Sequence, residues 1–423
     1  SQTEQVEDTV ITLAVYGGIN NCFQKYVNQF NEDDNGYCIN MKDYREYINE
    51  TADDAVMGYA LADMQLTQDI IKGGVVDLVY GSSFANFGNY EIMQNQEAFV
   101  NLDFFIENDH DSEKSELNEH ILSLCKTNGN LYSMPTFYSI ETLLGAKKYV
   151  GDRQSWTADE LIECYNNAPQ NATFSLTHDK VHVFRTLLRT NLGSYVDYKN
   201  GTADFDCPEF IKILDFCNQF ENISEYDNTD FEVPLFVQNG YFDSFESFHT
   251  AMWNFINIYS KGEECSLIGY PSDSGNGAYI TVSPLAFSVC YASSEEVQQG
   301  AWEFIKLIIS EDVQNEILSE VNLGFPINNK SFEKSAENSI GTGENIVSMQ
   351  GNMVDIGYFS EDEYNQLSEY INSINSISTT VYTDLNKILT DEVNVFFNSE
   401  QTIEKTVENI QNRASIMVSE KAG

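Results

Sequence analysis

The sequence predicts an α/β fold of more than one domain. Three observations carry this. Apolar β-branched runs alternate with helically spaced apolar residues over the first eighty positions. Two extended stretches, 131–146 and 279–292, are too long for one strand of one compact sheet. The chain has 423 residues, where a domain takes about 150.

In chain order, VITLAVY (10–16) reads as a first strand, broken by Gly17-Gly18. Cys22, Phe23, Tyr26, Val27 and Phe30 recur at helical spacing, and Gly36 stops that helix. YCINMKDY (37–44) is a second strand. Met57, Leu61, Met64, Gln68 and Ile71 mark a second helix, ended by Gly73-Gly74, and VVDLVYG (75–81) is a third strand. Such alternation implies a parallel sheet covered by helices. The stretch 131–146 reads as a crossover between domains. Thr157–Glu160 is a capping box, with Trp156 and Leu161 as its hydrophobic staple. A helical region follows to about residue 265, and then the second extended stretch. Ser293–Glu296 is another capping box, ahead of a face of Val297, Ala301, Phe304, Ile305 and Ile308. Ser360–Glu363 caps a further helix, and Ile403, Val407, Ile410, Ala414 and Met417 make the last one amphipathic.

Lys and Arg number 22 against 66 Asp and Glu, a net charge of −44. This excludes a nucleic-acid binder, which needs a basic footprint, and disfavours adhesion to anionic membranes. The excess reads as solubility through self-repulsion. No run of about 18 apolar residues is present to span a bilayer. The first nine residues, SQTEQVEDT, look like a polar tether left after removal of a leader. The eight cysteines form no CxxC, and Cys125, Cys164, Cys217 and Cys290 sit in apolar segments as core thiols. GxGxxG, Walker, HExxH and GxSxG motifs are absent. The glycines of SGNGAY (274–279) and GTGEN (341–345) read as loops, the five histidines are scattered, and DHDSE (109–113) lacks the rest of a calcium loop. No cofactor or metal is expected. Ligands of open α/β sheets bind outside the strands' carboxyl ends. Here those ends are Tyr16 to Asn21, Asp43 to Arg45 and Gly81 to Asn86, all carrying aromatic and amide groups.

ITLAVYGGINNCFQKYVNQFN (11–31), ADMQLTQDIIKGGVVDLVYG (62–81), GNLYSMPTFYSIETLLGAKKYVGD (129–152), SWTADEL (155–161), EECSLIGYPSDSGNG (263–277), GAWEFIKLIISEDVQ (300–314) and GFPINNKSFEK (324–334) occur in this order. In them the chain resembles family 1 of the extracellular solute-binding proteins, the sugar-capturing subunits of bacterial ABC importers, similar in fold to maltodextrin-binding protein. The resemblance implies a two-lobed periplasmic-binding-protein-like α/β fold of type II. Each lobe would be a mixed, mostly parallel sheet flanked by helices, with three hinge crossovers near 138–141, 282–286 and 325–328. The expected lobes are 10–139 with 285–326, and 140–284 with 327–423, after a tether at 1–9. The family also implies a lipidated cysteine ahead of this chain, a place on the extracellular face of the cytoplasmic membrane, a permease partner and a monomer.

Ligand positions in the family vary, so the candidates rest on placement and chemistry. Sugar faces pack on aromatic rings, and the hydroxyl rim needs paired donors and acceptors. Trp253 is a stacking platform or core. Tyr16 ends the first strand, Asp43 and Tyr44 the second, and Phe84 and Asn86 follow the third. Phe137 and Tyr138 stand at the first crossover, and Tyr279 and Ser283 approach the second. Asn20 belongs to the site or to the glycine turn. Glu141, a charge in an apolar strand, hydrogen-bonds hydroxyls or pairs in the hinge. The ligand expected is a neutral oligosaccharide, unless Arg45, Arg185 or Arg189 line the cleft. Two rivals remain: the same fold binding a peptide or polyamine, and a glycan-degrading enzyme using an acidic pair.

Overall fold

The computed structural model describes residues 8–19, 21–48, 55–81, 93, 97–109, 116–169, 172–222, 234–282, 286–342, 346–349, 352–378 and 382–421. The first stretch of chain gives β1 (Thr9–Val15), α1 (Asn21–Glu32), β2 (Tyr37–Asp43), α2 (Ala55–Lys72), β3 (Leu78–Tyr80), β4 (Met134–Pro135) and β5 (Phe137–Ala146). Then come α3 (Ala158–Asn167), α4 (Lys180–Leu188), α5 (Pro208–Cys217), β6 (Val237–Phe242), α6 (Phe245–Asn254), β7 (Cys265–Leu267) and β8 (Tyr279–Val282). The remainder is β9 (Ala286–Val289), α7 (Glu295–Ile309), α8 (Glu311–Glu320), β10 (Phe325–Pro326), α9 (Asn329–Ser339), α10 (Glu361–Ser373), α11 (Thr383–Phe397) and α12 (Ile403–Lys421). Shorter elements join them. The chain divides into two compact units, Ser1–Ser139 with Thr281–Asn338, and Ile140–Ile280 with Ser339–Gly423.

The first unit holds a sheet of order β2-β1-β3-β9-β4. β1 is parallel to β2 and β3, while β9 runs antiparallel to β3 and β4. α1 lays the expected five residues, Cys22, Phe23, Tyr26, Val27 and Phe30, into the core. Phe23 meets Tyr80 and Phe287 edge-on at 6.1 and 6.0 Å, and Phe304 meets Phe30 and Phe287 the same way. Each such pair adds about 0.5–1.5 kcal/mol beyond its buried area. α7 approaches β2 so closely at Gly300 that a Cβ there would stand 2.3 Å from the Tyr37 ring.

Two sequence expectations shift in this unit. The N-cap of α7 is Ser294, one residue late, because the Ser293 hydroxyl is spent on the Asp77 carboxylate at 2.6 Å. The face of α2 is also rotated. Leu61, Met64 and Ile71 are 53, 54 and 65% exposed, whereas Ala62, Asp63, Leu66, Asp69 and Ile70 turn inward. The buried Asp69 carboxylate sets that rotation. It accepts from Lys42 Nζ at 2.7 Å, Tyr44 Oη at 2.6 Å and Gln65 Nε2 at 2.8 Å, which ties the helix to the end of β2.

The second unit is organised by β5. β6 pairs antiparallel with Ile140–Gly145, and β7 with Leu144–Ala146. The expectation of a mostly parallel sheet is therefore corrected here. β6 begins beside the end of β5 (Val237 opposite Gly145), and a strand starting there returns antiparallel. One large core joins β5, α3–α5, α11 and α12. The Thr157–Glu160 capping box is formed, and Trp156, buried beside Leu161, donates Nε1–H to the Gly269 carbonyl at 2.9 Å. The Ser360–Glu363 box is formed as well.

The chain passes between units after Ser139, Ile280 and Asn338. The third passage falls twelve residues beyond the expected 326/327 boundary, because α9 is fastened to the first unit. Gln314 donates to the Thr136 carbonyl at 2.8 Å and accepts from Asn328 N at 3.0 Å. Asn328 Nδ2 donates to the Ile309 carbonyl, and Ser331 Oγ to that of Glu311. Of the second expected boundary, 283–285 lie outside the described residues.

The Asp69 network makes acid stability testable. Burial pushes the carboxyl up, but the bonds from Lys42, Tyr44 and Gln65 outweigh it and hold the pKa below its ordinary value. As pH falls, the unfolded chain takes up this proton first. The contribution is therefore complete above about pH 4 and lost as pH drops through the folded value. Asp69→Asn should lower stability by about 2 kcal/mol at pH 6, and the loss should shrink towards pH 2.5 in urea titrations. A loss that stays constant across that range would contradict the assignment.

Candidate functional site

A cavity of about 770 Å³ opens in the second unit, bounded by α4 and the residues after it, Tyr279 of β8, Ser376–Ser378 and α11. Its volume lies within the span of about 300–1,000 Å³ usual for small-molecule sites. Asp179 caps α4, accepting from Val181 N and His182 N. Val183, Phe184, Leu187 and Leu188 of that helix are buried. Arg185 and Arg189, four residues apart, then share its outer side along the cavity.

Arg189 is clamped. Its Nε donates to Tyr279 Oη at 2.6 Å, and its Nη2 donates to the Glu141 carboxylate. Tyr279 Oη donates to the same carboxylate. The guanidinium lies 5.5 Å from the Tyr270 ring centre and 5.6 Å from that of Tyr279, so cation–π attraction adds to the ion pair. Burial alone would favour the neutral guanidine, but the tyrosine oxygens and Glu141 outweigh it and raise the Arg189 pKa further. Tyr279 is held protonated, first by burial. Lys387 of α11 brings a third cation to the cavity. Asp391, the acid among the lining residues, is tied to Arg413 at 3.2 Å.

Tyr241 stands directly across from Glu141 on β6, so the two side chains share a sheet face. Tyr241 is 54% exposed. The Tyr270 hydroxyl donates to Asn239 Oδ1 at 3.3 Å. The loop holding Tyr270 and Tyr279 closes through a Gly269–Gly277 bridge, with Tyr270 N donating to the Gly277 carbonyl at 3.1 Å. A Cβ at Gly277 would stand 1.6 Å from the Tyr270 oxygen, so only glycine fits. This arrangement can hold a molecule with an apolar ring face and polar edges. Among the described residues no group of three His, Cys, Asp or Glu could hold a metal ion.

Of the sequence candidates, the structure joins Glu141 and Tyr279. Tyr44, Phe137 and Tyr138 are corrected to packing roles, being 0, 0 and 1% exposed. Tyr44 is bonded to Asp69 and meets Tyr16 edge-on at 6.2 Å. Phe137 and Tyr138 pair with β10, and Tyr138 lies against Phe325 at 5.6 Å. Asp43 is structural too, since its carboxylate accepts from Gly17 N, Arg45 N and the Arg45 guanidinium. Those bonds overcome the effect of burial and hold its pKa low. Arg45 is thereby committed to Asp43 and is not among the residues lining the cavity. Tyr16 is half-buried, and burial, then Asp63, raises its phenol pKa. Trp253 is half-buried at the end of α6 and does not line the cavity. Asn20, Phe84, Asn86 and Ser283 lie outside the described residues. Sequence reasoning missed Tyr241 and Lys387. The alternation of VQNGYF hints that Tyr241 faces out, but nothing local places it opposite Glu141.

No protein-family model and no curated protein sequence matches this chain. Solved structures do. A periplasmic oligogalacturonide-binding protein from Yersinia enterocolitica is 13% identical, with 98% of this chain and 100% of that one covered, at a TM-score of 0.59. The sugar-binding protein MalE from Xanthomonas citri is 10% identical, covering 97% and 98%, at 0.56. An ABC transporter solute-binding protein from Thermotoga lettingae, bound with α-D-tagatose, is 14% identical, covering 97% and 100%, at 0.51. Two de novo designed esterases match as well, at 0.56 and 0.58. The fold is thus the periplasmic-binding-protein-like α/β fold expected from the sequence, and sugar-binding ABC solute-binding proteins share it.

The glycine bridge can be tested. Gly277→Ala must push the Tyr270 backbone aside, and should cost about 3 kcal/mol while disturbing the Tyr270–Tyr279 pair. Urea unfolding and near-UV circular dichroism read both effects, and an unchanged spectrum would count against the bridge as the element that positions these rings.

Proposed function

We propose that this chain is the substrate-binding subunit of an ABC importer, capturing a carbohydrate outside the cell and handing it to a membrane permease. The observation that carries the reading is the clamp of Arg189, Glu141 and Tyr279 with the exposed Tyr241 beside it. A clamped polar cluster beside a free aromatic ring suits a sugar's hydroxyl rim and C–H face. The fold adds support, because structures that share it bind tagatose or oligogalacturonide. The role is capture without chemistry. The two units, linked by three chain passages, close on the ligand because the closed form offers it more contacts. A lipid anchor on a cysteine ahead of this chain and a monomeric receptor complete the proposal.

A polyamine ligand loses ground, because three cations line the cavity. The expectation of a neutral oligosaccharide was conditional on the arginines, and Arg185 and Arg189 both line it. Glycan cleavage by an acidic pair needs two carboxylates facing the ligand, whereas the cavity lining offers one, Asp391, tied to Arg413.

A thermal-shift screen over neutral and acidic oligosaccharides, peptides and polyamines tests the class. One glycan series should stabilise the protein, by about 2.7 kcal/mol at a hundred times its Kd, and be recovered intact. X-ray scattering should show a smaller radius of gyration with that glycan. Tyr241→Ala should weaken binding about tenfold with little change in melting temperature, since the ring is exposed. Stabilisation by a peptide or polyamine alone, or conversion of the glycan, would overturn the reading.

A further inference from the structure

We propose that the sugar taken by this cavity is acidic, an oligosaccharide whose rings carry carboxylates. The inference rests on the carbohydrate-binding reading above and names its substrate class.

The first ground is where the scarce cations stand. Lys and Arg make up 22 of 423 residues, roughly one in nineteen. Yet Arg185, Arg189 and Lys387 are three of the sixteen residues lining this one cavity. Elsewhere many of the chain's cations find carboxylates, although among the described residues Lys72, Lys180, Lys199, Lys261 and Lys334 do not. Lys25, Lys42, Lys147, Lys306 and Arg413, for example, each have acidic partners. Among the described residues, Arg185 and Lys387 have no carboxylate partner, and both are exposed. In a protein of net charge −44 the lining thus carries three cations to one acid, Asp391, which is itself tied to Arg413.

The second ground is that ordinary structural reasons account for only part of it. A basic residue in the last turn of a helix gains from the helix dipole, which accounts for Arg185 in α4. Lys387 lies in the second turn of α11, near the positive end, and gains nothing from that dipole. Arg185 and Arg189 are like charges four residues apart, an arrangement that disfavours the helix by a few tenths of a kcal/mol, roughly. An anion in the cavity would relieve that repulsion.

The third ground is geometric. The described bonds of Arg189 use Nε and Nη2, leaving Nη1 unused. A guanidinium already fixed by Glu141 and two tyrosine rings loses little freedom on binding. Planar guanidinium matches planar carboxylate, and the more flexible Lys387 supplies a second positive point across the cavity. Ring carboxylates spaced along a saccharide can meet both.

Isothermal titration calorimetry on the whole chain tests this. The probes are short oligomers of galacturonate, glucuronate and mannuronate, their methyl esters of similar shape but no charge, and neutral galactose and glucose oligomers. Wild type is compared with Arg185→Gln, Lys387→Gln and the double variant. Both side chains are exposed, so the variants should keep the parent melting temperature. The expected result is binding of one uronate series, weakened about tenfold or more by esterification and again by the double variant. Equal affinity for acid and ester, or binding of neutral oligomers alone, would overturn the acidic assignment and leave the carbohydrate reading standing. Uronate binding untouched by the double variant would overturn the cavity as its seat. Binding of no sugar of either kind would remove both readings.

Discussion

Every strand of the second large sheet is bonded to β5, and that strand is the constraint the architecture answers to. Nine of its ten residues are buried, so its peptide groups must find partners within the protein. β6, β7, β8 and β10 supply them. Just before the strand, the Thr136 carbonyl is met by the side chain of Gln314, itself fully buried. The only position of β5 that is not fully buried is Glu141. A carboxylate there cannot be left unanswered in a largely apolar strand. Arg189 and Tyr279 converge on it, and with them the wall of the cavity.

Electrostatics in this chain is a contest between a global excess of acid and a few local exceptions. Self-repulsion among 66 carboxylates favours expansion, and scattered ion pairs recover little of it because most are exposed. The partly buried pairs do more. Asp69 with Lys42 fixes how α2 is turned, and Asp109 with Lys306 and the Trp302 indole fixes α7. The cavity wall carries three cations against one acid, Asp391, and two of those cations, Arg185 and Lys387, are exposed.

Much of the fold was legible because it is locally encoded. The capping boxes at Thr157 and Ser360 rest on a hydroxyl and a glutamate three residues apart, and both formed, whereas the Ser293 hydroxyl went to Asp77 instead. The buried face of α1 follows its apolar spacing. What failed was set by partners distant in sequence. α2 carries two apolar stripes, and the one that includes Ala62, Leu66 and Ile70 is buried where Lys42 and Tyr44 grip Asp69. Phe137 and Tyr138 look like a binding floor from their position at a crossover, but β10, nearly two hundred residues away, covers them. In the site, Glu141 and Tyr279 could be found because a charge and an aromatic stood out in extended stretches. Tyr241 could not, since strand register is a tertiary property.

The order β2-β1-β3-β9-β4 has a consequence for synthesis on the ribosome. β3 and β4 do not touch each other in that order, and β9 is the strand wedged between them. β9 ends at Val289, so it emerges only after residues 140–280 of the second unit. The usual expectation, that the amino-terminal domain folds first as a nascent chain lengthens, cannot apply to the first unit as a whole. Its sheet stays in two pieces, with the edges of β3 and β4 unpaired, while most of its companion is already outside the exit tunnel. The second unit must wait in turn for the segment after Ser339, so the late-made third of the chain closes both.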